Sequence, residues 1–453
     1  MSDLLSLGQS GITAYSSALA TIGNNVANAN TPGYTRRGVT LQQNTAADAT
    51  QAYYTHRTEF GGVLAVSVTR ATDTYLTAQA RGAASDAGYA NAHSTWLSNA
   101  ETALNDTTTG VGQSATAFFN AGSQLAADPG NSGSRQQFLA SLDQTAAAFR
   151  TTASALADTS TGIANAAETS VHTINSDLDA LDRVNAALTH QVNGSSAQAD
   201  LEDQRDQLID DLSNHVGVNV HIEDNGTATV TLANSPIRLT TGLGNDAGTP
   251  GTRFALTAGA NGALSLQAVS VGSTQAVSAP GGELGGLIDS ASTVADRRNS
   301  LNVMATNFIN AVNGWQAAGV TPAGSAGAAL LSGTDAASMK ITTSDPTTIA
   351  SGLSGGAANG NLLNLSNLRG AAGVEQSWAG MVTDHGQMVA TAKAANTAAA
   401  SASDSANTAR DAGSGVDLNT EAANMIRFQQ AYNGAAKVIQ VAKDTMQSIL
   451  DLF

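Results

Sequence analysis

The first apolar positions of the chain fall on one side of a helix. Leu5, Ile12, Tyr15, Leu19, Ile22 and Val26 recur at steps of seven, three and four, with Gly8 in the slot between Leu5 and Ile12. That spacing is the a/d seam of a heptad repeat. The last apolar positions do the same. Met425, Phe428, Tyr432, Ala435, Ile439, Ala442, Met446, Ile449 and Phe453 hold the repeat to the final residue. A helix of thirty-odd residues spans roughly 50 Å. Leu7 in the first segment, and Ile426 and Val441 in the last, lie off the seam. Both helices therefore carry apolar groups on more than one side, and a pair packed only on each other would leave some of them in water.

The first helix is followed by an Asn-rich stretch, NNVANANTPGYTRR, residues 24–37. Asn28 and Asn30 favour a helix end, because Asn tolerates left-handed backbone and bonds to nearby backbone groups. Thr31-Pro32-Gly33-Tyr34 then reads as a tight turn, with Pro32 and Gly33 at its two central positions. A positive φ is expected at Gly33. Residues 38–70 read as extended or irregular, with GGVLAVSVTR as a strand or hairpin arm.

From 72 to 215 the pattern is helical and Ala-rich. One helix is predicted from about Asp73 to Leu104, a shorter one carries Phe118, Phe119 and Leu125, and a long one starts near Arg135 and extends toward Val192. At Gly217 the period changes to two, and Asp224-Asn225-Gly226 marks a hairpin turn. Residues 217–280 read as β-rich, 281–320 as helix, 320–370 as weakly patterned, and 372–410 as helix again. DAGSGVDLN, residues 411–419, reads as a break before the last heptads.

Composition narrows the chemistry. The chain has 453 residues and a net charge of −16, so nucleic acid is not an expected partner. No run is apolar enough for membrane insertion, and the N-terminal segment lacks the basic and apolar regions of a secretory signal. Aromatics are only 4%, which implies a core of Ala, Leu, Val and Ile rather than rings. There is no cysteine, so disulfides and thiolate metal sites are excluded.

A catalytic or metal constellation is not found. His56, His93, His172, His190, His215, His221 and His385 are scattered and show no metal spacing. Each reads as a solvent-facing side chain, with His215 and His221 bracketing a structural helix-to-strand change. In DLEDQRDQLIDD, residues 200–211, Leu201, Leu208 and Leu212 share one helical face. Glu202, Asp206 and Asp210 then stack on what reads as a solvated face, with Arg205 relieving their repulsion. EDNGT lacks the later acidic ligand of a calcium loop. GLGNDAG and GGELGG lack the strand-to-helix setting of a phosphate or dinucleotide loop and read as loops or tight packing. No cofactor and no bound metal are expected.

The two ends carry a resemblance. SLGQSGITAYSSALATIGNNVANANTPGYTRR (6–37) and SGVDLNTEAANMIRFQQAYNGAAKVIQVAKDTMQSILDLF (414–453) resemble the terminal segments shared by bacterial flagellar rod, hook and hook-associated proteins. Arg36 and Arg37 after the turn, the run from Glu421 to Tyr432, and DLEDQRDQLIDDLSNHVGVNV (200–220) resemble the hook-associated members. The resemblance covers about 1–220, 281–320 and 372–453, and reaches 221–280 and 321–371 only loosely.

The resemblance implies an α+β multidomain fold. Long paired terminal α-helices, packed as in a coiled coil, form a polymerisation domain from 1–45 plus 414–453. A mainly helical rod domain takes 46–216 plus 372–413, and a β-rich outer domain takes 217–371, with a helical segment near 287–318. The implied function is that of a structural adaptor, not an enzyme, which polymerises at the distal end of the hook and joins hook to filament. Its implied partners are further copies of itself, the hook protein, a second junction protein (hook-associated protein 3), and a cytosolic export chaperone on the C-terminal helix. Its implied location is the extracellular flagellum, reached through the flagellar type III apparatus.

Under this reading the subunit-interface residues are Leu5, Ile12, Tyr15, Leu19, Ile22 and Val26, with Met425, Phe428, Tyr432, Ile439, Met446, Ile449 and Phe453. The turn residues are Asn28, Asn30, Thr31, Pro32, Gly33 and Tyr34. Two alternatives stand beside it: another axial component, hook or rod protein, or a surface adhesin that works through its β-rich middle. Periodicity alone is also met by two terminal helices paired in an ordinary bundle.

Overall fold

A computed structural model describes residues 2–43, 61–106, 108–242, 251–370 and 372–451. The fold is α+β, with long helices and small antiparallel sheets. In chain order the elements begin with α1 (Ser2–Ala27), the hairpin β1 (Arg37–Gln43) and β2 (Val63–Arg70), then α2 (Thr74–Ala103), α3 (Val111–Ala127), α4 (Ser132–Leu188) and α5 (Ser196–His215). Next come β3 (Val218–Ile222), β4 (Ala228–Leu232), β5 (Arg253–Ala258), β6 (Leu264–Ser270) and β7 (Ser273–Val277). The chain continues with α6 (Gly282–Ala318), β8 (Leu331–Ser332), β9 (Lys340–Ile341), α7 (Gly360–Leu363), α8 (Val374–Ser414) and α9 (Leu418–Leu450).

Contacts gather the chain into two compact units. One holds 1–84, 175–253 and 401–453, and the other holds 85–174 and 254–400. These units follow other lines than the three sequence blocks. The 57-residue α4, like α2 and α8, contributes to both units, so no linker composition marks the passage. The break expected over 411–419 is also shorter than its composition suggests, because α8 runs on to Ser414 and α9 starts at Leu418.

In the first unit α1 packs on α9 and on the β1–β2 hairpin. Arg37 opens the hairpin ladder opposite Arg70, which closes it, and the register shifts once between Thr40 and Leu41. β3 and β4 form a second hairpin, turning at Gly226 with φ of +82°. Asn185 of α4 reads that hairpin like a third strand: its Nδ2 donates to the Ala228 carbonyl at 2.9 Å, and its Oδ1 accepts from the Ala228 N–H at 2.8 Å.

The second unit corrects the expectation of a ring-free core. Phe118 packs against Phe119, Phe138 and Phe308 with centroids 5.1, 5.0 and 5.7 Å apart. Phe149 stacks on Phe308, and Trp315 meets Phe138. Five of the nine Phe are thus concentrated in one place, which an average over the whole chain conceals. Rings bury large areas and pair in tilted geometries, so a few suffice to centre a core. The GGELGG stretch serves tight packing: a Cβ at Gly286 would collide with the Tyr89 carbonyl of α2. His385 is fully buried rather than solvent-facing. Its Nε2 bonds the Leu97 carbonyl at 2.9 Å, and burial lowers its pKa below the usual value.

The weakly patterned 320–370 segment is ordered by side chains that bond to its backbone. Asn361 Nδ2 donates to the carbonyls of Trp315 and Ala350, and Trp315 Nε1 donates to the Asn361 carbonyl at 2.7 Å. The buried Arg135 donates to the carbonyls of Pro129, Pro346 and Ile349 and to Ser351 Oγ. These bonds satisfy buried backbone groups that would otherwise need a ladder, and they carry no hydrophobic period for a sequence pattern to show. Phe118→Ala removes the ring at the centre of the aromatic cluster. It is expected to destabilise the second unit by about 3–5 kcal/mol, read as a lowered urea midpoint.

Candidate functional site: the terminal helix pair and its anchor

The terminal helices run antiparallel, with Gly8 against Ile439 and Tyr15 against Phe428, whose ring centroids lie 6.3 Å apart. The residues of α1 buried along this contact are Gly8, Gly11, Ala14, Ala18 and Ile22, and Asn25 is buried at the helix end. A Cβ on Gly8 would sit 2.5 Å from Ile439 Cγ1, so this seam is built from small residues that let the backbones approach. The larger residues of the expected heptad flank it. Ile22 is buried, Leu5, Ile12, Tyr15 and Leu19 are half-buried, and Val26 is exposed. On α9, Met425, Phe428, Tyr432 and Ile439 are half-buried, while Met446 and Ile449 are exposed. Phe453 lies outside the described residues. The 33-residue α9 is longer than the 26-residue α1, so its last turns outrun their antiparallel partner.

The end of α1 is held by an Asn that the sequence reading did not single out. Asn25 is fully buried. Its Nδ2 donates to the Arg37 carbonyl at 2.8 Å, and its Oδ1 accepts from the Arg37 N–H at 3.0 Å and from the Tyr34 hydroxyl at 2.8 Å. One side chain thus ties the last turn of α1 to the first residue of β1. The Asn-rich composition was the available signal, but only burial distinguishes Asn25 from its neighbours. Asn28 Nδ2 donates to the Asn24 carbonyl, and Thr31 Oγ1 to Asn28 Oδ1. Tyr34 N–H closes the turn onto the Thr31 carbonyl at 3.2 Å, with Gly33 at φ +77°. That is the positive φ a type II turn needs at its third position. Asn30, Pro32 and Gly33 are exposed.

The acidic run of α5 is not a solvated face. Arg37 donates to Asp200 and Asp203, each at 2.6 Å. Arg70 donates to Asp203 at 2.8 Å and to Asp206 at 2.7 Å. Arg81 of α2 meets Asp210 at 2.6 Å, and Arg410 of α8 meets the same carboxylate at 2.8 Å. The guanidinium side chains of Arg37 and Arg70 are only 5% and 6% exposed. The sequence reading placed Glu202, Asp206 and Asp210 in water because their partners lie far away along the chain. Only Arg205 was visible locally, and it too is buried, bonding Asp206 and the Gly226 carbonyl.

The electrostatics follow from this enclosure. Burial alone would raise the Asp206 pKa, but the guanidiniums of Arg205, Arg70 and Arg81 outweigh it and hold the carboxyl below its usual value. Burial likewise works against the charge of Arg70, and its acidic neighbours more than restore it. Among the described residues no group of His, Asp and Glu is arranged to hold a metal ion, and no helix is long and apolar enough to cross a membrane. What the arrangement does is position the chain ends.

Asn25→Ala leaves both backbone groups of Arg37 and the Tyr34 hydroxyl without their partner. The expected cost is about 1–3 kcal/mol for each buried group it orphans, measured by urea unfolding. Acid gives a second test. A carboxylate with a depressed folded pKa contributes fully above its unfolded value, which is 3.8 for Asp, and loses that contribution as pH falls toward the folded one. Thermal stability of the first unit is therefore expected to hold from about pH 7 to 5 and drop below about pH 4. Asp206→Asn should start lower at neutral pH and show a shallower acid decline.

Comparison with known proteins places these features. Residues 97–331 match the family described as the flagellar hook-associated protein FlgK helical domain. Residues 5–35 match the flagella basal body rod protein family, and 410–452 match the flagellar basal body rod FlgEFG protein C-terminal family. Flagellar hook-associated protein 1 of Salmonella typhimurium is 28% identical over 337 residues, covering 72% of this chain and 59% of that protein. The chain therefore spans less than two thirds of that relative's length. Flagellar hook-associated protein 1 of Bacillus subtilis is 28% identical over 490 residues, covering 97% of this chain and 96% of that protein. The solved structure of the flagellar hook junction protein FlgK from Burkholderia pseudomallei shares the fold, with a TM-score of 0.65 at 14% identity, over 74% of this chain and 99% of that one. With the helical-domain match running over more than half of its 453 residues, the chain belongs to the flagellar hook-associated protein FlgK family.

Proposed function

We propose that this chain is a structural adaptor subunit of the bacterial flagellum that polymerises at the distal end of the hook and joins hook to filament. The observation that carries the proposal is the apolar surface left on the terminal pair after its two helices have packed. Leu4, Leu7 and Val26 on α1, and Ile426, Val441, Met446, Ile449 and Leu450 on α9, are all exposed, Ile426 by 58%. Monomeric proteins rarely leave such surface contiguous. Covering it with neighbouring copies stabilises the assembly by about 25 cal/mol per Å² of apolar area, before association costs.

In this reading the terminal segments, 1–45 with 414–453, are the polymerising part. The half-buried Leu5, Ile12, Tyr15, Leu19, Met425, Phe428, Tyr432 and Ile439, with the buried Ile22, shape its surface. The Asn25-anchored turn ends α1 and redirects the chain into β1. The hook protein lies on one side of the assembly and the second junction protein on the other. Export runs through the flagellum's own type III apparatus, with a cytosolic chaperone holding α9. The family and the homologues' names support the assembly, and α9's exposed apolar residues suit it to a chaperone.

The test is electron microscopy of cells lacking the gene, with flagellin assayed in the medium. Hooks without filaments and shed, unpolymerised flagellin are expected. Restoring the gene as Ile426→Asp should leave the chain folded and exported yet fail to rebuild filaments. Missing hooks would assign the chain to the rod or hook instead, and normal flagella would overturn the assembly role.

A further inference from the structure

Glu421 lies in the first turn of α9 and is only 2% exposed. Among the described residues no hydrogen bond or ion pair reaches its carboxylate. The group lines a pocket of about 370 Å³ between α1, the hairpin and α9. Arg37 and Arg70, which also line this pocket, are neutralised by α5. Arg36 and Arg427, also in its wall, have no carboxylate partner among the described residues. The Arg427 guanidinium instead lies 4.8 Å over the Phe428 ring. Asn424, one turn along α9 from Glu421, completes the polar lining.

These groups select a ligand by their charges. A carboxylate only accepts hydrogen bonds, and a guanidinium only donates them. A lone cation entering the pocket would meet Arg36 and Arg427, and a lone anion would meet Glu421. A group that offers a donor and an acceptor side by side satisfies both, and the side-chain amide of Asn or Gln is such a group. The pocket also sits in the terminal pair, on the same helices as the exposed Val26 and Ile426. A chain that covers those apolar residues is carried across its mouth.

We infer that this pocket is a socket for a second copy of the chain, which seats an Asn or Gln side-chain amide between Glu421 and the guanidiniums of Arg36 and Arg427. The inference rests on the proposed assembly and adds a polar register point to an otherwise apolar contact. A buried polar group that must be matched is a known device for fixing the register of packed helices.

The absence of native cysteine makes Asn424→Cys a unique labelling site. The full chain carrying it would be reacted with a polyethylene-glycol maleimide, both free and assembled on hooks. In a second sample a thiol-linked benzophenone would be photolysed in the assembly. The expected result is labelling at least tenfold slower in the assembly than in the free chain, with a photo-crosslink joining two copies. Glu421→Gln, which replaces the acceptor by a donor–acceptor group, should weaken assembly while the free chain's melting temperature holds.

Equal labelling in both states would overturn the socket. So would a crosslink to the hook protein or to no protein, or an unlabelled free chain. Ile426→Asp keeps this failure separate from failure of the proposed function. If that variant blocks assembly while the socket results are negative, the assembly stands and the socket falls. If it assembles normally, the exposed apolar face is not what joins the copies, and the proposed function loses the observation that carries it.

Discussion

The first unit depends on one face of one helix. On α5, Asp203, Asp206 and Asp210 follow at steps of three and four, so their carboxylates stack in a row. Into that row come Arg37 and Arg70 from the hairpin, Arg81 from α2 and Arg410 from α8. A buried guanidinium is expensive unless it is paired, and removing one member of a buried pair costs about 3–5 kcal/mol. Each stretch therefore has one acceptable position along α5. The net contribution of such pairs to stability is small, because desolvation offsets the attraction. Their effect is to fix which segments meet and in which register.

That choice propagates outward. With Arg37 and Arg70 both aimed at α5, the hairpin must pair them across its open end, as its register shows. The backbone of Arg37 is then presented to Asn25, which closes the last turn of α1 onto it. The direction in which α1 runs from the hairpin follows from this bond pair. α9 packs along α1 through the Gly and Ala seam, and its Glu421 carboxylate ends beside the same hairpin. A chain of polar contacts thus aims a pair of apolar helices.

The seam explains how the terminal pair can fold and still leave apolar surface exposed. Gly8, Gly11, Ala14 and Ala18 use little side-chain area to bring the two helices together. The Leu, Ile and Met residues around them are only partly consumed by that contact. Had the large residues formed the intramolecular seam, the pair would have presented a mainly polar exterior. Close approach through small residues and apolar exposure around it are two sides of the same arrangement.

The sequence by itself determined the long helices, the β3–β4 hairpin and the special backbone of one turn. Heptad spacing marked α1 and α9, period two marked β3 and β4, and Pro-Gly marked a turn that needs positive φ at Gly33. These are local properties, set by side-chain period and by backbone sterics within a few residues. The tertiary structure decided the rest. Asn25 looks like its neighbouring Asn residues until Arg37 is folded against it. The α5 carboxylates look solvated until arginines from well over a hundred residues away arrive. Nine Phe look too few for a ring-based core until five of them converge. Burial and pairing depend on which distant groups meet, and a linear pattern carries period and composition but no distance across the fold.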